Sequence, residues 1–370
     1  MSDTANRNTT KHRLEWIDAM RGFTMILVVA YHVMTRTFCV KADASSSMML
    51  LLLFRMPLFF FISGFLSYRS QAAWDGHELS VMLGKKVRIQ IIPTVIFFFI
   101  AGVILSGYDK WWYIQTMLRQ SSKGGYWFCL VLLYMYAIYY IFEYSIKSLK
   151  KLPYGRRLER ALFFVLWTAS IGVAATCYMP SVFSYALTDY HPVSNGWLAH
   201  TSVIQLMQYF HFFLFGNIVH RWWGSIEKIF ERKGFVLAII AVAFLSSIDY
   251  IKLHILPGEW NVVSKLLAMY SLMMLVFLFF RFYQDSFTQQ RRIGASLQYI
   301  GTRTLDIYLI HFLFLPSLPM VGKYMMTGSG TFIYELFLSI FIALIVIAFC
   351  ILTSNILRIS PFLKKYLFGR

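Results

Sequence analysis

Ten apolar runs, each about twenty residues long, divide this chain nearly end to end, and they leave it one solvent in which to fold. Their limits are 17–38, 48–68, 87–106, 126–144, 161–179, 202–220, 234–251, 261–280, 299–318 and 331–354. About twenty apolar residues in a helix cross the roughly 30 Å of a bilayer's hydrocarbon. Inside lipid every backbone amide must find its partner within the protein, so runs of this length predict helices. Only 14% of the 370 residues are charged and 58% are hydrophobic, whereas a soluble domain is about a quarter charged. The expected fold is all-α: a polytopic membrane helix bundle of about ten transmembrane helices. It forms a single integral membrane domain over 1–370, with tails at 1–16 and 355–370.

The formal net charge of +18 invites a nucleic-acid reading. Loop charges give a simpler account. With residues near the run edges counted to the adjoining side, alternating the runs across a membrane puts 8 of the 35 Lys and Arg on one side, 3 within runs and the remaining 24 on the side of both termini. Cationic loops stay in the cytosol, so both termini are expected there, with no nucleic-acid partner. The expected location is a bacterial cytoplasmic (inner) membrane. The four cysteines, Cys39, Cys129, Cys177 and Cys350, have no metal-ligand spacing and read as small apolar residues. No metal is expected. Ala42-Asp43-Ala44 resembles a signal-peptidase site, but the run before it is too long and too charged for a signal peptide, so the first helix is expected in the mature protein.

Ionisable residues within apolar runs are costly and mark function by default. The stretch RLEWIDAMRGFTMILVVAYHV, residues 13–33, carries Asp18, Arg21 and His32 inside or at the edge of the first run. Arg21 and His32 are eleven residues apart, so they share a helix face about 16 Å apart. Asp18 lies one turn before Arg21 and can pair with it. Arg55 lies in the second run at a depth like that of His32. Ser63-Gly64, deeper in the same run, suits close helix packing. His211, His311, Asp306, Tyr308 and Glu335 lie in later runs. His32, Arg55, His211 and His311 fall at similar depth and can converge if their helices are neighbours. Asp306 and Arg303, one turn apart, can pair. Before the third run, Lys85 and Arg88 are either plain cytosolic anchors or a clamp for a phosphate-bearing cofactor. Trp111, Trp112 and Trp127, expected outside, form an interfacial belt or a surface for sugar rings.

DAMRG with His32 eleven residues after Arg21, MPLFFFISGF at 56–65, the basic turn before IQIIP, YWF at 126–128 and LDIYLIH at 305–311 resemble the acyltransferase-3 superfamily of integral membrane acyltransferases, most closely its polysaccharide or fucose O-acetylase-like branch. The resemblance implies an O-acyltransferase moving an acyl group, in this branch acetyl, from cytosolic acetyl-CoA (acyl-CoA) to a hydroxyl of a glycan or lipid-linked glycan. His32 corresponds to the family's catalytic histidine, with Arg21 eleven residues earlier and Asp18 beside it. Lys85-x-x-Arg88 corresponds to its donor-binding Arg-x-x-Arg, with a lysine replacing the first fork. Arg55, Trp127, His311 and Tyr308 are the expected substrate contacts. The lipid bilayer is the remaining partner, and a homo-oligomer is left open. A sugar hydroxyl needs its proton removed as it attacks a thioester, which a neutral imidazole does. A secondary transporter or glycan flippase is the alternative, since intramembrane charges suit it too.

Overall fold

The structure is a computed structural model that describes residues 14–41, 44–70, 72–107, 109–179, 197–256, 258–327 and 331–369. Most of the expected N-terminal tail, Ala42-Asp43 of the cleavage-like motif and the expected outer loop 180–196 lie outside the described residues. Among the described residues there is no strand, and eight helices are long and apolar enough to cross a membrane. The all-α bundle follows from the hydrocarbon-spanning runs, as expected.

The helices that build it are α1 (Glu15–His32), α2 (Ser46–Ser67), α3 (Gly76–Lys86), α4 (Ile92–Leu105), α5 (Trp127–Ile146), α6 (Gly155–Tyr178), α7 (Val203–Arg221), α8 (Lys233–Ile248), α9 (Asn261–Phe282), α10 (Arg292–Thr302), α11 (Thr304–Ile310), α12 (Phe332–Leu357) and α13 (Pro361–Phe368). Two of the ten expected runs differ from the other eight. Run 202–220 is the single helix α7, whose buried face carries Gln205, Gln208, His211 and Asn217. Run 299–318 is not one helix. It breaks at Arg303, whose ψ of 12° is not helical, between α10 and α11. It then tightens into a 3-10 turn at His311–Leu313 before Pro316 and Pro319. Nor is the segment after 354 a plain tail. α12 runs on to Leu357, and α13 returns to pack Phe368 against Phe97 of α4.

α1 is the axis of the bundle, with 83% of its span enclosed against 17% for the span that contains α8. It packs against α2, α9, α10 and α12. Its closest crossing is with α10, at Gly22 and Gly301. A Cβ on Gly301 would lie 1.8 Å from the Asp18 carbonyl oxygen, and one on Gly22 would lie 2.0 Å from that of Leu297. Glycine at both positions lets the backbones touch. α2 and α7 cross in the same way at Gly64 and Gly216, as the small residues of the second run led one to expect.

Buried charges fasten the bundle. Asp306 accepts from Arg358 Nη2 at 2.8 Å, from Ser354 Oγ at 2.6 Å and, more distantly, from Arg303 Nη1 at 3.4 Å. The expected Arg303 pair therefore exists, but Arg358 is the main partner, so Asp306 ties α11 to α12. At the opposite end Glu335 accepts from Ser45, Ser47 and Thr331, joining α2 to α12. Arg221 bridges Glu143 and Glu159, joining α7 to α5 and α6. Each buried group is satisfied, and removing one partner of such a pair costs about 3–5 kcal/mol.

Candidate active site

α1 changes character at His32. The next five residues, Val33–Thr37, form a π-helical turn, a widening that often accompanies functional sites. The half-buried His32 ring stands there, 5.2 Å from the ring of His311, with Phe312 against both rings at 4.9 and 4.0 Å. The two histidines are 279 residues apart in sequence. The shared direction of α1 and α10–α11, pinned at Gly22 and Gly301, brings them together.

His311 has a defined tautomer. Its Nδ1 faces the carbonyl oxygens of Ile307 and Tyr308 at 3.0 and 2.9 Å. A nitrogen between two acceptors must carry the proton, which leaves a lone pair on Nε2. That Nε2 is buried and meets no partner among the described residues. An unspent basic nitrogen in a buried site is costly as architecture and useful as chemistry.

Cations and hydroxyls surround the pair. Arg55 is buried, with its guanidinium 3.5 Å over the ring of Tyr31, the neighbour of His32, and its Nε without a partner. Arg55 and Arg36 both lie within electrostatic reach of His32. The Tyr308 hydroxyl donates to Gly125 O at 3.1 Å, and that of Tyr126 donates to Leu309 O at 2.9 Å. These bonds clamp the 123–126 turn onto α11. Lys123 holds the same turn from outside. Its ammonium donates to Leu118 O and Gln120 O, and burial pushes its pKa down to about 8.

Arg21 marks the opposite end of the same face. It pairs with Asp18 at 3.3 Å, as expected, and its Nη2 donates to Thr304 Oγ1 at 3.0 Å, just past the break at Arg303. The basic turn contributes differently from expectation. Lys85 and Arg88 point to the exterior. Lys86 turns inward, with Nζ 3.6 Å over the Tyr136 ring and within electrostatic reach of Arg21 and Arg69. The reason is helical phase. Lys86 lies on the stripe of Met82, Gln90, Thr94 and Phe97 that faces the bundle, and Lys85 and Arg88 do not. That stripe is readable in the sequence and would have identified Lys86.

Two other expectations change. His211 does not join the histidine pair. Phe60 stacks on Tyr209 and Ser67 bonds Asn217, so α2 and α7 run side by side with Arg55 level with about residue 204. His211 therefore lies about 10 Å further along. There its Nδ1 meets the Tyr270 hydroxyl at 2.6 Å and its Nε2 meets Gln208 O at 3.1 Å. Trp127 separates from Trp111 and Trp112, which are 65% and 63% exposed. It packs inward and stacks on Tyr209 at 5.9 Å.

The family model described as an acyltransferase domain matches residues 14–357, from the first turn of α1 to the end of α12. Searches of the curated proteins and of the solved structures return no match.

Proposed function

Because this chain belongs to the acyltransferase-3 family of membrane acyltransferases, we propose that it moves an acetyl group from cytosolic acetyl-CoA to a hydroxyl of a glycan or lipid-linked glycan on the far side of the membrane. The observation that carries the proposal is the fixed lone pair of His311 beside His32, at one end of a helix face whose other end holds cations. Arg21 and His32 are about three turns apart, roughly 16 Å along α1. That separation suits a phosphate-bearing head at one end and a thioester at the other.

At the inner mouth Lys86, Arg21 and Arg69 would hold the donor's phosphates. Charge-assisted bonds of this kind are the strong ones. At the outer end His32 takes the proton of the acceptor hydroxyl as its oxygen attacks the thioester carbon. Arg55 faces the negative charge that gathers on the carbonyl oxygen. The new C–O bond forms, the C–S bond breaks, and the imidazolium returns the proton to the departing sulfur. His311 Nε2 is placed to accept from His32 and hold its orientation, or to carry the proton onward.

Sealed proteoliposomes of known orientation test the reading. Acetyl-CoA supplied on the side of Lys86 should acetylate a membrane-impermeant oligosaccharide enclosed on the side of Trp111. Transfer only when both substrates share one side would overturn cross-membrane delivery. Movement of the glycan without loss of thioester would favour a flippase, for which the break at Arg303 is a suitable hinge.

The donor assignment makes a separate prediction. Lys86→Gln should raise the donor KM about tenfold, the worth of about 1.4 kcal/mol, and flatten its salt dependence. Lys85→Gln should leave KM within about twofold, as an exposed charge does. The reverse ranking, measured by donor titration at fixed acceptor, would return the donor contact to the expected Lys85-x-x-Arg88 pair.

A further inference from the structure

A second cluster of polar and aromatic side chains lies in the α6–α7–α9 region, apart from the histidine pair. Lys265 is in α9, one turn below its start. Its Nζ lies 4.0 Å from the centre of the Tyr178 ring and 5.6 Å from that of Tyr250. Among the described residues no carboxylate pairs with it. Asp249, whose carboxylate meets the neighbouring Ser264, is already committed to Ser264 Oγ and the Ile255 amide. Lys265 thus keeps three N–H donors turned to aromatic faces alone. A lone ammonium in a span is costly, and cation–π contact offsets only part of that cost.

The surroundings carry unspent acceptors and oriented rings. Asn261, one turn before Lys265 on the same face, has a buried Oδ1 without a partner. Gln205 on α7 has a buried Oε1 in the same condition. The Tyr178 hydroxyl is turned away and donates to Gln208 O, so its ring presents a face to the ammonium. Tyr178 is in electrostatic reach of Tyr209, and Tyr209 is stacked on Trp127. From there Phe128, beside Trp127, meets Tyr308, and Tyr308 meets His311. A run of touching rings thus leads from Tyr209 to the histidine pair, with the amide oxygens at its Lys265 end. Ring faces stack on sugar C–H surfaces, and amide oxygens accept from sugar hydroxyls.

We propose that Lys265 binds an anionic group on a glycan ligand, whose sugar rings then extend along Tyr209 and Trp127. The ligand class is a sugar bearing a phosphate or a carboxylate. This deepens the acyl-transfer reading and rests on it only in making that ligand the acceptor. The protein in phosphatidylcholine nanodiscs supplies the test, with tryptophan fluorescence as the readout. Hexyl glucosyl phosphate is titrated against hexyl glucoside, and trigalacturonate against neutral trigalactose. At least one anionic probe should bind at least tenfold more tightly than its neutral counterpart. Lys265→Gln should abolish that difference and Lys265→Arg should retain it. Preference in the phosphate arm alone assigns a phosphate-linked sugar, and preference in the carboxylate arm alone assigns an acidic sugar. Equal binding of charged and neutral probes by the unaltered protein overturns the proposal. So does a preference that survives in Lys265→Gln, or a Lys265→Gln protein that loses only thermal stability. Acetyl-CoA titrated into the same discs keeps the two readings apart. Failure of donor binding would sink the acyl-transfer reading and leave the charge preference standing.

Discussion

His32→Ala should lower acetyl transfer by about 10³-fold, within the range of a lost general base, while the protein inserts and binds acetyl-CoA as before. His32 lines the site and carries no fold-defining hydrogen bond among the described residues, so its truncation leaves the bundle intact. His311→Ala should cost less, about 10–10²-fold, because it removes the group that orients or relays for His32 rather than the base itself. The double variant should be no worse than His32→Ala alone, as expected of residues that act as one unit. Single-turnover transfer with donor affinity measured in parallel separates chemistry from binding. If His311→Ala proves the more damaging, the base is His311 Nε2, and His32 is the orienting partner. If His32→Ala turns over like the unaltered protein, the histidine pair is not the catalytic centre.

Gly301→Ala should abolish activity for a different reason. The added Cβ would meet the Asp18 carbonyl oxygen at 1.8 Å, and the obstacle is backbone that cannot rotate away. α10 must move from α1 by an ångström or more. That shift breaks the Arg21–Thr304 bond and separates His32 from His311. Overpacking of this kind costs about 1–3 kcal/mol, and more where backbones touch. The expected result is a melting temperature in detergent lowered by several degrees and transfer reduced more than hundredfold. Gly172→Ala is the control. It lies on α6 with nothing within 4 Å of the added carbon, so it should hold or slightly raise stability through helix propensity. A Gly301→Ala protein with unchanged melting and turnover would mean the α1–α10 crossing does not set the site geometry.

Properties that belong to a single helix were legible from the residues. The lengths of the apolar runs required a helical bundle, because lipid offers the backbone no other partner. The 3.6-residue period placed Arg21 and His32 on one face and paired Asp18 with Arg21. It also allowed the Arg303–Asp306 contact, and small size marked Gly64 as a packing position. The same period, applied from Met82 to Phe97, distinguishes Lys86 from Lys85. What one helix cannot state is which face of another it meets. Arg358 as the partner of Asp306, the meeting of His32 with His311, the exclusion of His211 and the inward turn of Trp127 all depend on helix crossings. Those crossings are set by backbone contacts at Gly22, Gly301, Gly64 and Gly216, between residues as much as 279 positions apart. The break at Arg303 belongs with them. An apolar run of that length reads as one continuous span, and only the bond from Arg21 to Thr304 and the anchoring of Asp306 by Arg358 show what holds its two halves in place. Hydropathy and period act along the chain, whereas the site is made by close packing across it, and that packing exists only once the helices have chosen their neighbours.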